Sequence, residues 1–311
     1  MAAKKEIADN SFAKINRVKP LTNVLLSIVL TIIAIVTVLP VVLVVMISLS
    51  TSESLTYNGF SFFPSELTLT AYENLFKSGS QIVDSYIVTI AMTLCSAALG
   101  LFIMAMFAYV LSNPRFAARK FYTFLLFVTM VFSGGLVPGY IINVSYLHLY
   151  DTFWILVLSS MVNQFYIIVL RTFISTTIPL EMMDAAQIDG ADELRIFTSI
   201  VLPLAKAGLA TVALFLIVNK WNDWFVGMLY IENAKLVPLQ TMLTRIQQKI
   251  DFVKNNSSIA GTPEGVALLR SMPTEQTRMA IVVVSTVPIL FAYPFFQRFF
   301  IQGLTVGSVK G

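Results

Sequence analysis

The sequence predicts an all-α integral membrane protein with six transmembrane helices. Hydrophobic residues make up 57% of its 311 residues, and the mean hydropathy of +0.78 is well above that of a soluble globular domain. A bilayer core of about 30 Å requires about 20 apolar residues in a helix, and six stretches meet that length. The first stretch is too long for a signal peptide. The predicted spans are residues 22–48, 85–111, 120–142, 152–171, 203–230 and 279–302.

The distribution of charge predicts the orientation of these spans. Lys and Arg cluster before the first span and between the second and third, whereas the segment 49–84 contains a single Lys among several acids. Loops rich in Lys and Arg stay cytoplasmic, so both termini and the loop 172–202 are predicted to be cytoplasmic. The net charge of the chain is +4, but its Lys and Arg residues cluster at the predicted membrane edges. This distribution argues against a nucleic acid as the partner. The single Cys95 cannot form an internal disulfide.

An acidic segment with helix signals interrupts the apolar sequence between the fourth and fifth spans. Pro179 is typical of a helix start, Asp189-Gly190 is typical of a turn, and Asp192 begins a second short helix. The sequence therefore predicts a helical hairpin on the cytosolic face. A helix lying in the lipid interface is the alternative, but such helices have basic polar faces, so a protein partner is favoured. The apolar side chains available for burial are Met182, Met183, Ala185, Ala186, Ile188, Leu194 and Phe197.

This hairpin resembles the EAA motif of ATP-binding-cassette (ABC) importer permeases. Residues 184–203 read DAAQIDGADELRIFTSIVLP, with the acid-Ala-Ala triplet, the Gly and the final Ile-x-Leu-Pro at the spacing of the motif. Only Asp184 departs from it, because Glu is usual there. In that family the hairpin is a coupling helix that docks into a groove on a cytosolic ATPase. The resemblance implies that coupling to the ATPase depends on Asp184, Ala185, Ala186, Asp189, Gly190 and Ala191.

A wider resemblance, from about residue 20 to the C-terminus, is to the MalG-type carbohydrate permeases. Within them the sequence is similar to the branch for oligosaccharide or aldouronate uptake in Gram-positive bacteria, on stretches such as NKWNDWF and LVPLQTML. The resemblance implies a type I ABC importer permease fold in a bacterial cell membrane. It also implies a second, homologous but different permease, two cytosolic ABC ATPase subunits, and an extracellular lipoprotein that delivers the sugar.

The chain itself carries no signature of catalysis. It lacks the GxxxxGK[ST] phosphate loop, and its one His and one Cys provide neither a metal-ligand cluster nor a nucleophile–base pair. We therefore expect no enzyme activity and no cofactor in this chain, with ATP and Mg²⁺ bound by the partner ATPase.

Polar residues inside two predicted spans are candidates for the substrate path, because such groups are costly in a membrane and usually functional. Lys220 and Asp223 share a helix face and can neutralise each other. Aromatic rings beside side-chain amides are suited to binding a sugar. For the polar residues of the fifth span, the alternative is a role as an anchor at the outer membrane interface. For those of the fourth span, the alternative is hydrogen bonding to a neighbouring helix. The candidates are Asn163, Gln164 and Tyr166 in the fourth span and Asn219, Lys220, Trp221, Asn222, Asp223 and Trp224 in the fifth.

Two segments are predicted to be extracellular. The first, 49–84, has a short surface helix that begins near Thr70. The second, 231–278, is a long polar loop, and loops of that length are usually functional or disordered; a solvated connector is the alternative. We predict that the segment 231–278 contacts the extracellular lipoprotein that delivers the sugar, here called the binding protein. We also predict that 249–264 is the most exposed stretch of this segment. The candidate contacts are Lys249, Asp251, Lys254, Asn255, Thr262 and Glu264.

The predicted organisation is a cytoplasmic tail at 1–21, a six-span permease domain at 22–302 and a cytoplasmic tail at 303–311. The permease domain includes the coupling hairpin at 172–202 and the extracellular segment at 231–278. The predicted function is that of the permease subunit of an ATP-driven carbohydrate importer. The alternatives are an importer of amino acids or another small polar solute, and a non-transporting membrane anchor that recruits an ATPase.

Overall fold

The structure, a computed structural model, describes residues 20–77, 80–256, 262–263 and 273–308. Within those residues it consists of helices joined by turns and loops, with one isolated antiparallel bridge between Ser50 and Leu67. Besides the α-helices there are two π-helical segments, Ile142–Tyr146 and Phe197–Val201, and a 3₁₀ turn, Ala234–Leu236. The helices are α1 Pro20–Ser48, α2 Ser52–Asn58, α3 Thr70–Lys77, α4 Ser80–Ser112, α5 Arg119–Val131, α6 Leu136–Ile141, α7 Phe153–Leu158, α8 Gln164–Thr177, α9 Leu180–Ile188, α10 Glu193–Ile196, α11 Leu202–Leu204, α12 Lys206–Trp221, α13 Phe225–Tyr230, α14 Leu239–Asn255 and α15 Glu275–Ser308.

The chain divides into two units. One contains the described residues up to Ala71 together with 274–283, and the other contains the rest. In the first unit α1 has an apolar window with none of its residues buried. The Thr68 amide donates to the Leu49 carbonyl at 2.7 Å. The prediction of a short helix near Thr70 is confirmed by α3.

The core of the second unit forms around α4, which packs against α8 and α12. Small residues allow the close approaches. A Cβ built on Gly100 would lie 2.2 Å from the Met161 carbonyl oxygen, and one built on Gly208 would lie 2.8 Å from the Phe173 ring. The Ser96 hydroxyl donates to the Val157 carbonyl at 2.9 Å. Small residues and short hydroxyl side chains are the usual means of packing membrane helices.

Two helices are each long and apolar enough to cross a bilayer, namely α1 and the stretch Gln81–Ser112 of α4. Three bent pairs of helices among the described residues would raise the number to five if each pair is one span. The predicted third and fifth spans each contain one of these bends, and the third bend, between α8 and α9, lies at the start of the hairpin. The predicted fourth span is divided by the gap between α7 and α8. Each of the three predicted spans is interrupted by a break.

The breaks follow from the backbone. The predicted span 120–142 bends by 110° between α5 and α6, where Gly135 has φ +87°, a conformation that favours glycine. The predicted span 152–171 is split into α7 and α8. In the gap Ser160 has φ +57°, and the side chain of Asn163 caps α8, so this polar residue ends the gap rather than lying within a helix.

The predicted span 203–230 is also divided. A bend of 80° separates the α10–α11 segment from α12, so Pro203 precedes the long helix, which begins at Lys206. That helix ends at Trp221, and α13 begins at Phe225. The interruption leaves Asn222 and Asp223 in a turn. The polar residues of this region therefore lie at helix ends, where side chains can satisfy free backbone groups.

The segment 231–278 is not the structureless loop that its polar composition predicted. It contains the 17-residue helix α14. Its buried residues Leu239, Met242, Ile250 and Val253 recur at helical spacing, which is the pattern of an amphipathic helix. Polar composition concealed this pattern because the other face of α14 carries charged and amide side chains.

Candidate functional site

The predicted hairpin is present in the structure. Helix α9 follows Pro179, and Gly190 forms the turn with φ +81°. The side chain of Asp192 accepts a hydrogen bond from the Arg195 amide at 2.8 Å and caps α10. A Cβ on Gly190 would meet nothing within 4 Å. The predicted turn at Gly190 is therefore confirmed, in a conformation that favours glycine, and the space beside it is open to a partner.

The hairpin has a buried side and an exposed side. Met183, Ile196 and Phe197 are buried in the core, and Ala186 and Ala191 pack against the same cluster. The small side chains at 186 and 191 therefore approach this chain's own core rather than the outside. The exposed residues include the charged or amide side chains Glu181, Gln187, Asp192, Glu193 and Arg195, and also Met182, Ala185, Ile188, Asp189, Gly190 and Leu194.

An ion pair holds Asp184 of α9. Arg115, in the turn after α4, donates to both carboxylate oxygens of Asp184, at 2.5 and 2.7 Å. The hydrogen bonds from Arg115 lower the pKa of the Asp184 carboxyl below its usual range, and the carboxylate raises the pKa of the Arg115 guanidinium. Both side chains are accessible to water, so the pair is open to screening by salt.

A polar cavity of about 350 Å³ lies at the broken ends of the fourth and fifth predicted spans. It brings together seven of the nine residues that the sequence predicted for the substrate path. Three further lining residues, Ser160, Leu216 and Phe225, were not predicted. Ser160 could not be found from the sequence because it lies there only by virtue of the break after α7. The seven are Asn163, Tyr166, Asn219, Lys220, Asn222, Asp223 and Trp224.

Lys220 is the most buried charge of this cavity, with 3% of its surface exposed. Its ammonium group donates to the Leu156 carbonyl at 2.9 Å and to the Ser159 carbonyl. It also forms the predicted ion pair with Asp223, at 3.8 Å. The cation thus occupies the C-terminal end of α7, where carbonyl groups are left free by the helix and positive charge is favourable.

Hydrogen bonds fix the other polar groups of the cavity. The Asn219 side-chain amide donates to the Tyr166 hydroxyl at 2.9 Å, and the Asn222 amide donates to the Val218 carbonyl. The Asp223 carboxylate accepts a hydrogen bond from the Val226 amide, in the first turn of α13, at 3.2 Å. The ring of Tyr166 stacks on Phe215 with centroids 6.1 Å apart. The cavity lining consequently combines amides, two hydroxyls, an ion pair and aromatic rings.

Two of the predicted path residues lie outside the cavity lining. Trp221 is buried, and its indole N–H donates to the Ser285 carbonyl at 2.9 Å. Its ring also meets Tyr86 edge-on. Consecutive residues of a helix point in different directions. Trp221 therefore points away from the face of α12 on which Lys220 lines the cavity. Gln164 is half-buried on the first turn of α8. The structure therefore gives Trp221 a packing role.

The predicted binding-protein contacts lie on and after α14. Lys249, Asp251 and Asn255 are exposed on this helix, and Gln247 donates to both oxygens of Asp251. Thr262 is half-buried. The backbone of Lys254 belongs to the helix, whereas its side chain and all of Glu264 lie outside the described residues. Phe252 is a missed candidate, because its ring is 56% exposed on the same helix.

Helix α14 is anchored to α13. Arg245 donates to the carbonyls of Gly227 and Ile231, at 3.3 and 2.5 Å. The Thr241 hydroxyl donates to the Trp224 carbonyl at 2.9 Å, and a Cβ on Gly227 would lie 2.2 Å from that hydroxyl oxygen. These contacts hold α14 against α13, the helix that follows the cavity residues. They therefore fix the position of the exposed face of α14.

A second set of contacts joins the loop before α7 to the segment after α13. Asp151 accepts hydrogen bonds from the amides of Glu232 and Asn233. The Tyr150 hydroxyl donates to the Glu232 carboxylate at 2.7 Å, and this bond raises the pKa of Tyr150 to about 12. In the part of the chain that the structure describes, no group of three or more His, Cys, Asp or Glu side chains could hold a metal ion.

Comparisons with known proteins agree with this architecture. Residues 86–306 match the family model of the binding-protein-dependent transport system inner membrane component. Protein LplC of Bacillus subtilis (strain 168) is 36% identical over 265 residues, 85% of this chain and 86% of LplC. The polygalacturonan/rhamnogalacturonan transport system permease protein YtcP of the same organism is 35% identical over 265 residues, 85% of this chain and 89% of YtcP.

Solved structures give the same result. A chain from a bacterial ABC transporter involved in the import of the acidic polysaccharide alginate has a TM-score of 0.77 to this chain. The two are 29% identical, and the match covers 90% of this chain and 96% of the other. The similarity therefore extends over nearly the whole of both molecules.

Proposed function

The chain belongs to the family of binding-protein-dependent transport system inner membrane components, and from that premise we propose that it is the permease subunit of an ABC importer for a carbohydrate, an oligosaccharide in particular. Members of this family are multi-pass proteins of the cell membrane and non-catalytic subunits that bind no cofactor. The names of the relatives support a saccharide rather than an amino acid as the cargo. They also support transport rather than a role as a membrane anchor for an ATPase.

The proposed assembly extends this premise. A second, homologous but different permease forms the pore with this chain, two cytosolic ABC ATPases bind and hydrolyse ATP with Mg²⁺, and an extracellular lipoprotein delivers the sugar. The chain crosses the membrane six times, with the segments 1–21 and 303–311 and the hairpin at 172–202 on the cytosolic side. The segment 231–278 is extracellular. The clustering of Lys and Arg supports this orientation.

The hairpin is the proposed docking element for the ATPase. The observation that carries the proposal is its exposed side, where the apolar Ile188 is 86% exposed beside the open turn at Gly190. An apolar side chain on a cytosolic tip gains most from burial when a partner covers it. Asp189, Ala185 and Met182 lie on the same side, whereas Ala186, Ala191 and Asp184 hold the hairpin to its own core.

The polar cavity is the proposed part of the substrate path in this chain. Amides and a hydroxyl can exchange hydrogen bonds with sugar hydroxyls, and the rings of Tyr166 and Trp224 can pack against the apolar faces of a sugar ring. The exposed face of α14, with Lys249, Asp251 and Asn255, is the proposed contact for the binding protein. Phe252 adds an aromatic anchor of the kind that is enriched at protein interfaces.

The test of docking is Gly190→Leu in the complete transporter. A side chain at φ +81° is strained, and its bulk fills the open space, so we expect binding of the ATPase and ATP-dependent uptake to fall at least tenfold. Membrane insertion should be unchanged. Gly190→Ala separates the two causes, because it has the same strain and little bulk.

The matched control is Gly59→Leu. Gly59 has φ +69° with nothing within 4 Å of a Cβ, so the substitution imposes similar strain outside the hairpin. We expect the control to keep ATPase binding and uptake. Full ATPase binding by Gly190→Leu would refute the docking role of the hairpin.

A further inference from the structure

Glu193 connects both arms of the hairpin to the core helix α4. Its Oε2 atom accepts a hydrogen bond from the Tyr109 hydroxyl at 2.5 Å, and its Oε1 atom accepts one from the Gln187 side-chain amide at 2.9 Å. Gln187 belongs to the first arm and Glu193 to the second, whereas Tyr109 lies on α4. One carboxylate thus joins three elements.

A second contact joins the same elements. Arg115, three residues beyond the end of α4, binds both carboxylate oxygens of Asp184 in the first arm. The hairpin is therefore held at two points to the end of a single helix. Tyr109 is buried, and its ring also lies against Phe197, with centroids 5.5 Å apart. A movement of the hairpin that keeps these contacts must move this end of α4.

The other contacts of α4 lead toward the polar cavity. Tyr109 and Ser96 are 13 residues apart on one helix, a distance of about 20 Å at about 1.5 Å per residue. The Ser96 hydroxyl donates to the Val157 carbonyl of α7. The adjacent Leu156 carbonyl accepts from Lys220, which lines the cavity. Helix α4, its hydrogen bond to Val157 and the adjacent contact of Leu156 with Lys220 therefore connect Glu193 to the cavity.

We propose that Tyr109 and Glu193 are positioning residues through which α4 transmits displacement of the hairpin to the cavity. This inference rests on the proposed docking of the hairpin to an ATPase. A hydrogen bond to a carboxylate is worth at least about tenfold in an equilibrium constant. Tyr109→Phe removes that bond and keeps the ring against Phe197, so it should weaken transmission without removing the packing.

The experiment uses the complete transporter in membrane vesicles, with no sugar added. A Cys95→Ser background removes the native thiol, and Ser160→Cys places a reporter thiol in the cavity lining. The labelling rate of that thiol by a charged methanethiosulfonate reagent is measured with and without ATP and vanadate. The amount of vanadate-trapped nucleotide is measured on the same vesicles.

We expect ATP and vanadate to change the labelling rate about tenfold in the reporter background. With Tyr109→Phe we expect at least three-quarters of that change to be lost while trapped nucleotide stays within about twofold. Glu193→Gln keeps a side-chain acceptor for the Tyr109 hydroxyl and should lose less than Glu193→Ala. If Tyr109 had a purely structural role, Tyr109→Phe would lower the amount of assembled transporter. The change in labelling rate, divided by the amount of trapped nucleotide, would then stay the same.

Tyr122→Phe is the matched control, because it deletes a phenolic hydroxyl from the neighbouring helix α5 and should leave the response intact. A full response in Tyr109→Phe, or no response in the reporter background itself, would overturn the proposal. Failure of the proposed docking is separate, because it appears as normal ATPase binding by Gly190→Leu.

Discussion

The helices α1 and α4 are both long enough to span a membrane, yet their environments in the subunit differ. The most apolar window of α1 has a mean hydropathy of 3.2 and no buried residue, whereas the window of α4 has a hydropathy of 2.3 and is 44% buried. The less hydrophobic helix is thus the one in the core. The difference lies in small polar side chains, because Ser85, Thr89 and Ser96 are fully buried on α4.

This comparison shows that hydropathy and packing carry different information about a membrane helix. Apolar residues determine whether a helix can enter lipid, whose chains are as apolar as Leu side chains. Small residues determine how closely another helix can approach. In α1 the hydroxyls of Thr31 and Thr37 bond to carbonyls of the same helix, whereas in α4 the Ser96 hydroxyl bonds to α7. Four experiments can test this difference.

The largest effect is expected for Gly100→Ala on α4. Its Cβ would lie 2.2 Å from the Met161 backbone oxygen, and a backbone atom cannot move aside cheaply. We expect loss of the folded subunit, measured as the yield of monodisperse protein in detergent. Gly139→Ala is the control, because a Cβ there meets nothing within 4 Å. Normal yield of Gly100→Ala would show that α4 tolerates a wider separation from the Met161 segment.

The second effect compares Leu111→Ala on α4 with Leu30→Ala on α1. Leu111 is 1% exposed and Leu30 is 64% exposed. Truncation in the core leaves a cavity and should cost about 2–4 kcal/mol, whereas truncation of an uncovered side chain should cost almost nothing. Thermal unfolding of the purified subunit measures both. Equal losses would mean that α1 is packed as tightly as α4.

A smaller effect is expected when a hydroxyl is removed. Ser96→Ala leaves the Val157 carbonyl without its donor in a buried site, at a cost of about 1–2 kcal/mol. Thr37→Val deletes an exposed hydroxyl of α1 that bonds only within its own helix, and it should be neutral. The measurement is again thermal unfolding. A neutral Ser96→Ala would assign the contact between α4 and α7 to apolar packing alone.

The smallest effect concerns the exposed pair that follows α4. The pKa of Asp184 is lowered from 3.8 by Arg115, so the carboxylate form is favoured in the folded state. The contribution of the pair to stability is present above about pH 4 and is lost as the pH falls through the lowered pKa. Asp184→Asn should therefore differ from the parent at pH 7 and match it at low pH. A difference in thermal unfolding that persists in strong acid or high salt would contradict this.

Features that depend on neighbours in sequence were the most predictable. The hairpin was located from Pro179, Gly190 and Asp192, because caps and turns act within a few residues. The ion pair of Lys220 with Asp223 followed from their separation by three residues. The amphipathic spacing of α14 was also present in the sequence, but charged residues between the apolar positions led to the prediction of a loop.

Features that depend on distant contacts could not be predicted. At the break after α7, carbonyls that the helix leaves free accept hydrogen bonds from Lys220, more than fifty residues away. Likewise, the sequence did not indicate that Trp221 faces the core or that Ala186 packs inward, because those orientations depend on helices that are distant in sequence. Membrane helices lack the contrast between polar and apolar faces that marks the core of a soluble protein.

The contacts of Lys220 have a consequence for the electrical charge of the cargo. The ammonium group donates to two carbonyls, and the Asp223 carboxylate lies 3.8 Å away as an ion-pair partner. The cation of the cavity is therefore neutralised within the subunit, and with 3% of its surface exposed Lys220 is poorly accessible to a solute. A uronate carboxylate would lose its hydration there without gaining a counter-ion. If this cavity forms part of the path, it favours neutral sugars, and recognition of an acidic sugar requires a cation other than Lys220.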